Sequence, residues 1–497
     1  MATNASSSTS QTDSAGRDSR WIALYILCTG MLMIVLDSSI VNVALPSIQD
    51  DLGFSTSNLA WVVNAYLLTF GGLLLLAGRL GDLLGRRRIF LAGLVVFTVA
   101  SALCGLATSE GMLIGARMLQ GIGGALTAAV ILGMIVTMFP EPREQAKALG
   151  VFAFVASGGA SLGLLLGGVL TDALSWHWIF LVNVPIGAVT FFLAQRFVAD
   201  EPGLGLSRGA DVLGATLITS GLMVGVYAIV KVSDEGWGSL HTLGLGAVSI
   251  ALLSLFVLRQ ARAANPLMRL GIFRSRNLSA TNAVQILIMG GLFAVFFLGT
   301  LYLERVLGFE PIEIGLAFLP VSLGIGLLSL GFAERLSVRF GPKNTLLAGL
   351  TLAALGLLLF TQVPTDGSYV SDVLPSMVLI GVGMGTAFPA MMALAMSGVA
   401  PQDAGLASGL VNTTQQIGAA LGLSLLATFS TTRSESLLGK GEPVADALTG
   451  GYTLAFGIAT GLLVAAVVIV ALVIEKPAAR EPVHVEQDEQ ALAYAEA

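Results

Sequence analysis

The chain has 497 residues, of which 55% are hydrophobic and only 11% are charged, and its net charge is −6. Soluble domains carry roughly 25% charged residues, so this composition excludes a water-soluble protein and makes lipid the solvent for much of the surface. The C-terminal segment 475–497 is acidic, with six of the 31 acidic residues, and no basic stripe indicates nucleic-acid binding. The three histidines and two cysteines are scattered, so the sequence predicts no metal site.

A polar Ser/Thr-rich segment, 1–20, precedes an apolar run that is too long for a signal-peptide core and is predicted to be a retained helix. A spanning helix needs about 20 mostly apolar residues, and by this measure the sequence predicts about fourteen of them. The predicted spans are 22–45, 59–80, 89–107, 111–136, 146–170, 177–197, 211–231, 240–258, 278–301, 312–332, 344–361, 373–396, 405–430 and 452–474. The loops between them are too short to hold a soluble catalytic domain.

Loop charges test this count independently. With the N-terminus in the cytoplasm, twenty Lys and Arg residues fall on cytoplasmic segments and four fall on outer segments. The positive-inside rule requires such an asymmetry. Arginine also far outnumbers lysine, a bias typical of GC-rich bacterial genomes. We therefore expect a multi-pass protein of the bacterial inner (plasma) membrane with both termini in the cytoplasm.

Two related runs indicate an internal repeat. The sequence GRLGDLLGRRR at 78–88 follows the second predicted helix, and a weaker copy, GFAERLSVRFGPK at 331–343, follows the tenth. Each lies on the cytoplasmic side after the second helix of a six-helix set, as in a two-halved transporter. The predicted fold is an all-α polytopic membrane protein. It has six-helix bundles at 21–200 and 278–474, two inserted helices with a basic linker at 201–277, and tails at 1–20 and 475–497.

Five motifs carry a resemblance to a known family. Besides 78–88, they are LDSSIVNVALP at 36–46, RMLQGIGG at 117–124, WHWIFLVNVPIG at 176–187 and the segment 405–422. In this order on a fourteen-span chain, they resemble the major facilitator superfamily, and specifically its fourteen-spanner drug:proton antiporter branch. The resemblance implies two halves with alternating access, export of drugs or antibiotics, a proton gradient as the energy source, and no cofactor.

One acid and one arginine lie deep in predicted spans, Asp37 in the first and Arg117 in the fourth. A charge at that depth costs about 2.5–3.5 kcal/mol, and protonation of the carboxylate relieves the cost, as a proton-coupled carrier requires. At ~1.5 Å per residue the two depths differ by only ~3 Å, so we expect the side chains to meet. The resemblance implicates the matching arginine in proton transfer. The alternative is a static ion pair or a permanent polar partner.

The resemblance also implies a conformational latch between the halves at the end of the second helix. Its residues are Gly78, Asp82, Gly85, Arg86 and Arg87. The arginines also suit a topological anchor, whereas the glycines suit a tight turn and close helix approach.

Helix five carries Gly159, Gly163 and Gly167, each four residues apart, with Gly168 alongside. That spacing predicts close packing against a neighbouring helix. The family's antiporter motif places a Gly-Pro followed by Gly-Gly here, and this sequence has no proline at 163–168. The kink and the transport direction inferred from that motif are therefore not carried over.

Other polar side chains inside the spans predict a substrate cavity near the midplane or, alternatively, hydrogen bonds between helices. The candidates are Asn42, Tyr66, Gln120, Asn282, Gln285, Asn412 and Gln415, with Asn64 and Gln416 nearby. Glu304, at the outer end of the ninth helix, is interpreted as interfacial and solvated, and an outer vestibule is the alternative.

The leading hypothesis is a secondary transporter that exports small amphipathic drugs or antibiotics in exchange for protons, as a monomer in a lipid bilayer. No GxxxxGK[ST] pattern indicates ATP as the energy source. A carrier or exporter of a metabolite, amino acid or lipid is the alternative within transport. A membrane sensor or scaffold is the alternative outside it. An enzyme is disfavoured because the spans lack a clustered His/Asp/Glu or Ser/His site.

Overall fold

The computed structural model describes residues 8–139, 141–200, 202–203, 205, 211–267, 269–329, 332–397 and 404–475. Within them the chain is helical and forms no strand. The first six long helices are α1 (Ser8–Leu52), α2 (Thr56–Leu84), α3 (Arg86–Gly105), α4 (Glu110–Met138), α5 (Pro142–Ala173) and α6 (Trp178–Phe197, interrupted at Val182). We call these six the first half.

Two further helices, α7 (Val212–Val230) and α8 (Leu240–Arg262), follow and form the insert. The second half contains α9 (Arg276–Arg305), α10 (Pro311–Ser329, interrupted at Phe318), α11 (Pro342–Phe360), α12 (Tyr369–Met396), α13 (Ala404–Leu438) and α14 (Val444–Leu472). Short helices at Val232–Glu235, Leu270–Arg274 and Phe332–Phe340 connect them. The side opposite the N-terminal end of α1 and the C-terminal end of α14 is called the outer side below.

Over the described residues, twelve of these helices are long and apolar enough to cross a membrane. The other two long helices, α5 and α13, have 32 and 35 residues. They pack inside the bundle, α5 against α1, and α13 against α2 and α9. The predicted all-helical, multi-span fold is confirmed.

Several helix ends differ from the sequence prediction, among them the start of α14, which lies at Val444 and not at 452, and the C-terminal ends of α1 and α13. The first span was predicted to end at residue 45, before Pro46, yet α1 continues through that proline to Leu52. Proline is tolerated inside membrane helices because neighbouring helices and side chains satisfy the backbone groups that it frees. The thirteenth span was predicted to end at 430, whereas α13 reaches Leu438. Hydropathy detects the apolar part of a helix and not its polar continuation.

The helix pairings of the first half recur eight helices later. α1 packs on α5, α2 on α4, α3 on α4 and α3 on α6, and correspondingly α9 packs on α13, α10 on α12, α11 on α12 and α11 on α14. The halves meet where α2 contacts α13 and where α5 contacts α10. This is the arrangement of two six-helix bundles with one shared interface.

The insert lies beside that interface. α7 contacts α2 and α13, and α8 packs on α7. The Thr219 side chain of α7 fills the space above Gly72 of α2, where a Cβ would lie 2.4 Å from its hydroxyl oxygen. On the other side, Thr428 of α13 donates a hydrogen bond to the Ile229 carbonyl at 3.2 Å. The insert therefore touches both halves.

Candidate functional site

An arginine–aspartate pair lies in the core of the first half. Asp37 of α1 is 0% exposed and Arg117 of α4 is 1% exposed. Arg117 Nη1 donates to Asp37 Oδ2 at 2.6 Å, and Arg117 Nε donates to the Val62 carbonyl of α2 at 2.8 Å. The structure thus brings the two side chains singled out from the sequence into direct contact.

Two amides and a hydroxyl complete the bonding around Asp37. Gln120 Nε2 and Asn183 Nδ2 both donate to Asp37 Oδ1, at 2.6 and 3.0 Å. The same two amides donate to Ser101 Oγ, at 2.6 and 3.3 Å, and Arg117 Nη1 donates to Gln120 Oε1 at 2.6 Å. Both carboxylate oxygens act as acceptors, as in an ionised carboxylate. We call Asp37, Ser101, Arg117, Gln120 and Asn183 the Asp37 network.

Aromatic rings enclose the network. The Arg117 guanidinium lies 4.4 Å from the ring centre of Tyr66 and 5.6 Å from that of Phe180, within cation–π range. Cys104 is fully buried, with Sγ 3.6 Å from Gln120 Oε1. The Tyr66 hydroxyl is buried and has no hydrogen-bond partner in the described part of the chain. All five side chains of the network are buried, so interactions between charges are stronger here than at the surface.

The RMLQGIGG motif positions the network through its spacing. Arg117 and Gln120 are three residues apart on α4 and therefore lie on the same helix face. The glycines that follow bring α4 against two neighbours. A Cβ at Gly121 would lie 2.5 Å from the Tyr66 carbonyl of α2, and a Cβ at Gly123 would lie 2.4 Å from a backbone nitrogen of α3. The motif thus holds α4 close enough to α2 and α3 for its long polar side chains to reach α1.

The predicted glycine face of α5 packs mainly on α1. A Cβ at Gly163 would lie 2.8 Å from the Leu36 carbonyl, and a Cβ at Gly167 would lie 2.7 Å from the Ile40 carbonyl. Gly159, one turn earlier on α5, faces side chains of α1. These three glycines place the backbone of α5 against the segment of α1 that carries the acid of the network.

Gly168 faces a different neighbour. A Cβ there would lie 2.7 Å from Ile312 Cα and 2.8 Å from the Pro311 carbonyl, both in α10 of the second half. Gly315 of α10 makes the reciprocal contact, since a Cβ at Gly315 would lie 2.6 Å from the Leu164 carbonyl of α5. The fourth glycine of the predicted motif therefore belongs to the interface between the halves.

The latch candidates lie at the turn between α2 and α3. Gly85 has a φ of +102°, a conformation that favours glycine and reverses the chain. Arg86 Nη2 lies 3.2 Å from Asp82 Oδ1, and its Nη1 donates to an α4 carbonyl at 3.2 Å. Arg87 donates to an α6 carbonyl, and Gly78 faces α4 with room for a Cβ. These contacts all lie within the first half, so the latch between the halves stays a prediction.

The polar candidates of the second half form a separate, neutral group. Asn282 of α9 accepts a hydrogen bond from the Thr414 hydroxyl of α13 at 2.7 Å and donates to a carbonyl of its own helix. Gln285 is 2% exposed, and its Oε1 has no partner in the described residues. Asn412 and Gln415 of α13 are half-buried. These side chains lie on α9 and α13 of the second half, whereas the Asp37 network lies on α1, α3, α4 and α6 of the first half.

The remaining cavity candidates are distributed between both regions. Tyr66 and Gln120, predicted as cavity residues, lie at the Asp37 network. Asn42 donates to carbonyls of its own helix, the nearer at 3.1 Å. Asn64 of α2 reaches across to the second half and donates to Ser424 Oγ of α13 at 2.8 Å. Not all of the predicted cavity residues therefore meet in one place.

Ser101 and Asn183 were not predicted as site residues. Asn183 is the one polar side chain in the run IFLVNVPIG, and Ser101 interrupts an otherwise apolar stretch of α3. Both signals were present, but a lone serine or asparagine in a membrane helix commonly bonds its own backbone or a neighbour. Only the packing of α6 on α1, and of α3 on α4 and α6, shows that Asn183 reaches the acid and that Ser101 reaches the amides bound to it.

Known proteins with similar sequences identify the family of this chain. Residues 27–423 match the Major Facilitator Superfamily. The puromycin resistance protein pur8 of Streptomyces alboniger is 39% identical over 462 residues, which cover 92% of each chain. The cephamycin export protein CmcT of Amycolatopsis lactamdurans is 37% identical over 82% of this chain and 84% of its own. The tetracenomycin C resistance and export protein of Streptomyces glaucescens is 32% identical over 83% and 76%.

Solved structures share the fold at much lower identity. An auto-inhibited peptide transporter of the POT family superposes with a TM-score of 0.67 at 14% identity, covering 92% of this chain and 98% of that one. The nucleoside transporter NupG gives a TM-score of 0.63 at 11% identity, covering 91% and 100%. The fold, the residues matched by the family and the identities to the relatives all indicate the same family. The chain belongs to the Major Facilitator Superfamily and is a membrane transporter of small molecules, not an enzyme.

Proposed function

We propose that this protein exports an amphipathic organic compound of the antibiotic type in exchange for protons. The observation that carries the proposal is the buried pair of Asp37 and Arg117. Among the described residues, the buried charged side chains are these two and Asp211 of the insert. A transporter driven by protons needs a group that gains and loses a proton during its cycle, and Asp37 is the acid enclosed within a transport half.

Stability alone does not account for such a pair. Replacing a buried ion pair by apolar side chains of similar volume is often neutral or stabilising, because removing two charges from water costs about as much as their attraction returns. An enclosed carboxylate bound by an arginine and two amides therefore suggests a functional reason. Protonation of Asp37 would break its bond to Arg117, and deprotonation would restore it.

The network also supplies a position for Arg117 while Asp37 is protonated. Arg117 keeps its bond to the Val62 carbonyl, its bond to Gln120 and the rings of Tyr66 and Phe180. The cation therefore has partners in both protonation states. In this proposal a conformational change between the states exposes Asp37 first to one side of the membrane and then to the other.

The substrate class is inferred from the relatives and from the chemistry of the second half. Three relatives are named for resistance to or export of puromycin, cephamycin and tetracenomycin C. The second half offers neutral amides and hydroxyls, such as Asn282, Gln285 and Thr414, which suit a polar but largely uncharged organic compound. We further propose that the protein works as a monomer in the bacterial cell membrane, with both termini cytoplasmic as the loop charges require.

Proton flux in proteoliposomes tests the proposal. Purified protein is reconstituted with an internal pH dye, a pH gradient is imposed, and antibiotics and dyes are added one at a time. Wild type is compared with Asp37→Asn and with Asp172→Asn, which removes an exposed acid at the outer end of α5. We expect proton flux that depends on a drug in wild type and in Asp172→Asn, and none in Asp37→Asn.

Two results would contradict the proposal. Equal flux in Asp37→Asn would remove the coupling site. No flux with any drug, from protein shown to be folded, would favour the carrier of a metabolite, amino acid or lipid.

A further inference from the structure

An ion pair joins the two halves at their outer ends. Arg305, the last residue of α9, places Nη2 2.5 Å from Asp50 Oδ1 of α1. The same nitrogen lies 3.5 Å from the carbonyl oxygen of Pro46, one turn earlier on α1. One guanidinium of the second half therefore binds two acceptors of the first.

The outer side is closed in this structure by backbone contact as well. The glycine contacts of α5 with α10, at Gly168 and Gly315, lie near the outer ends of both helices. A Cβ added to either glycine would lie within 3 Å of backbone atoms of the other half. The ion pair and the glycine contacts are separate observations of the same closed outer interface.

Glu304, next to Arg305, is an acid that the proposed coupling site does not use. The sequence interpretation was that it is solvated, but the structure shows it half-buried. Its Oε2 atom is shielded from solvent and accepts no hydrogen bond within the described residues. An ionised carboxylate oxygen is costly to bury without a partner. Its adjacent cation, meanwhile, is engaged by the other half.

The charged and titratable groups around Glu304 come from three helices. Arg305 on its own helix and Asp50 on α1 act on it electrostatically. From α14, Tyr452 lies within electrostatic range of both Glu304 and Arg305. Among the described residues, Arg305 is the cation that acts electrostatically on Glu304 and Tyr452. Arg305 is paired with the Asp50 carboxylate of the first half, and the Glu304 carboxylate of the second half acts on it electrostatically without a direct bond in the described structure.

We propose that Glu304 is a second proton-binding site, and that its protonation closes the outer side by releasing Arg305 to Asp50. With the outer ends apart, ionised Glu304 holds Arg305 on α9. A proton arriving from outside neutralises Glu304, and the guanidinium then turns to Asp50 and the Pro46 carbonyl. The proton stays on Glu304 while the pair with Asp50 holds the ends together. This inference rests on the proposed function in one respect, because the exchange of drug for protons supplies the proton from outside.

The strength of the contact suits this role. The side chains of Asp50 and Arg305 are 62% and 31% exposed. Ion pairs exposed to this extent contribute little to stability, so the pair can be made and broken in every transport cycle. A small difference in free energy is enough to shift a protein between two states of similar stability.

Distance measurement between spin labels tests the proposal without substrate. Cysteines replace Thr108, in the α3–α4 loop, and Gln362, in the α11–α12 loop, which are exposed on the outer sides of opposite halves. The native cysteines are buried at 2% and 0% exposure and should not be labelled. Pulsed electron paramagnetic resonance then records the distance distribution at acidic and alkaline pH.

We expect the wild-type distribution to shift to shorter distances in acid. Glu304→Gln, which mimics the protonated acid, should give the short distance at both pH values. Glu304→Asp, which keeps a carboxylate, should retain the shift. Asp50→Asn should reduce the short-distance population in acid, and Glu442→Gln, which removes an exposed glutamate of the outer α13–α14 loop, should behave as wild type.

A shift in Glu304→Gln that matches wild type would overturn the proposal, as would an unchanged short-distance population in Asp50→Asn. The measurement requires neither a drug nor a functional Asp37. If the distances respond as expected while no drug drives proton flux, the proposed function fails and the proton-controlled outer contact stands.

Discussion

The two halves share their helix pairings but bury different chemistry. In the first half, α1 and α4 bury Asp37 and Arg117 with three neutral polar partners. In the described residues of the second half, the buried polar side chains are all neutral. As far as the second half is described, its six helices therefore pack without a buried charge. The charged pair of the first half is not a requirement of the fold. This is why we assign the proton that drives transport to Asp37 in the first half, separately from the outer site proposed at Glu304, and contacts with the substrate chiefly to the second half.

The largest expected effect comes from breaking the buried pair. Arg117→Gln leaves the Asp37 carboxylate buried without its cation, which typically costs about 3–5 kcal/mol. We expect a large fall in the thermal unfolding temperature in detergent. The double variant Asp37→Asn/Arg117→Gln should recover most of the stability and none of the proton-driven transport. If the double variant is no more stable than the single one, the pair is needed for folding and the comparison between the halves fails.

Matched glutamine substitutions sharpen the comparison. Gln120 donates to Asp37 and Ser101, and hydrogen bonds to a charged group contribute about 1.5–3 kcal/mol each. Gln120→Leu should therefore destabilise the protein clearly. Gln285→Leu removes an amide whose oxygen has no partner in the described residues, and should be neutral or slightly stabilising. Equal losses of stability in both variants would contradict the contrast.

A smaller effect is expected from the hydrogen bond between Asn282 and Thr414. Thr414→Val removes its hydroxyl donor, and a neutral hydrogen bond of this kind contributes about 1 kcal/mol. If the second half contacts the substrate, the variant should change the KM for the drug and leave the ratio of protons to drug unchanged. The measurement is drug-dependent proton flux over a range of drug concentrations. A changed ratio would place part of the proton coupling in the second half.

The smallest effect concerns the insert, which carries a buried acid of its own just before α7. Burial alone would raise the pKa of Asp211, but hydrogen bonds from Arg259, the Gly214 N–H and Gln260 outweigh it and lower that pKa. A lowered pKa stabilises the folded state above the ordinary carboxyl pKa of about 3.9, and that stability is lost as the pH falls through the folded value.

Because Arg259 is 38% exposed, we expect Asp211→Asn to cost less than about 1 kcal/mol at neutral pH. The difference from wild type should shrink in strong acid, as measured by urea unfolding of the two proteins across a pH series. A difference that grows in acid would mean that the hydrogen bonds do not control this carboxyl group. Proton-driven transport should be unchanged at neutral pH, since the insert lies outside both cores.

Hydropathy and charge were sufficient to predict the helical, multi-span fold, because lipid permits few alternatives to long apolar helices. The contact of Asp37 with Arg117 also followed from the sequence, since helical rise alone gives the depth of each residue. The roles of Ser101 and Asn183 did not follow, because depth says nothing about which helix face meets which neighbour. The contact of Gly168 with α10 was missed for the same reason.

Glu304 shows a further limit of sequence reasoning. Its position at a helix end predicted solvation, yet the structure half-buries it beside a cation that is bound by the other half. The surroundings of an end residue depend on how the two halves meet, and no local pattern records this. Closed and open outer interfaces would give the same residue different partners.

The most direct test of the central claim separates drug movement from proton coupling. Proteoliposomes loaded with unlabelled drug exchange it for labelled drug without net proton transfer, whereas accumulation against a gradient requires the proton. The account predicts that Asp37→Asn retains exchange and loses accumulation driven by the pH gradient. Accumulation at the wild-type level in Asp37→Asn would show that the proton is coupled elsewhere and would contradict the account.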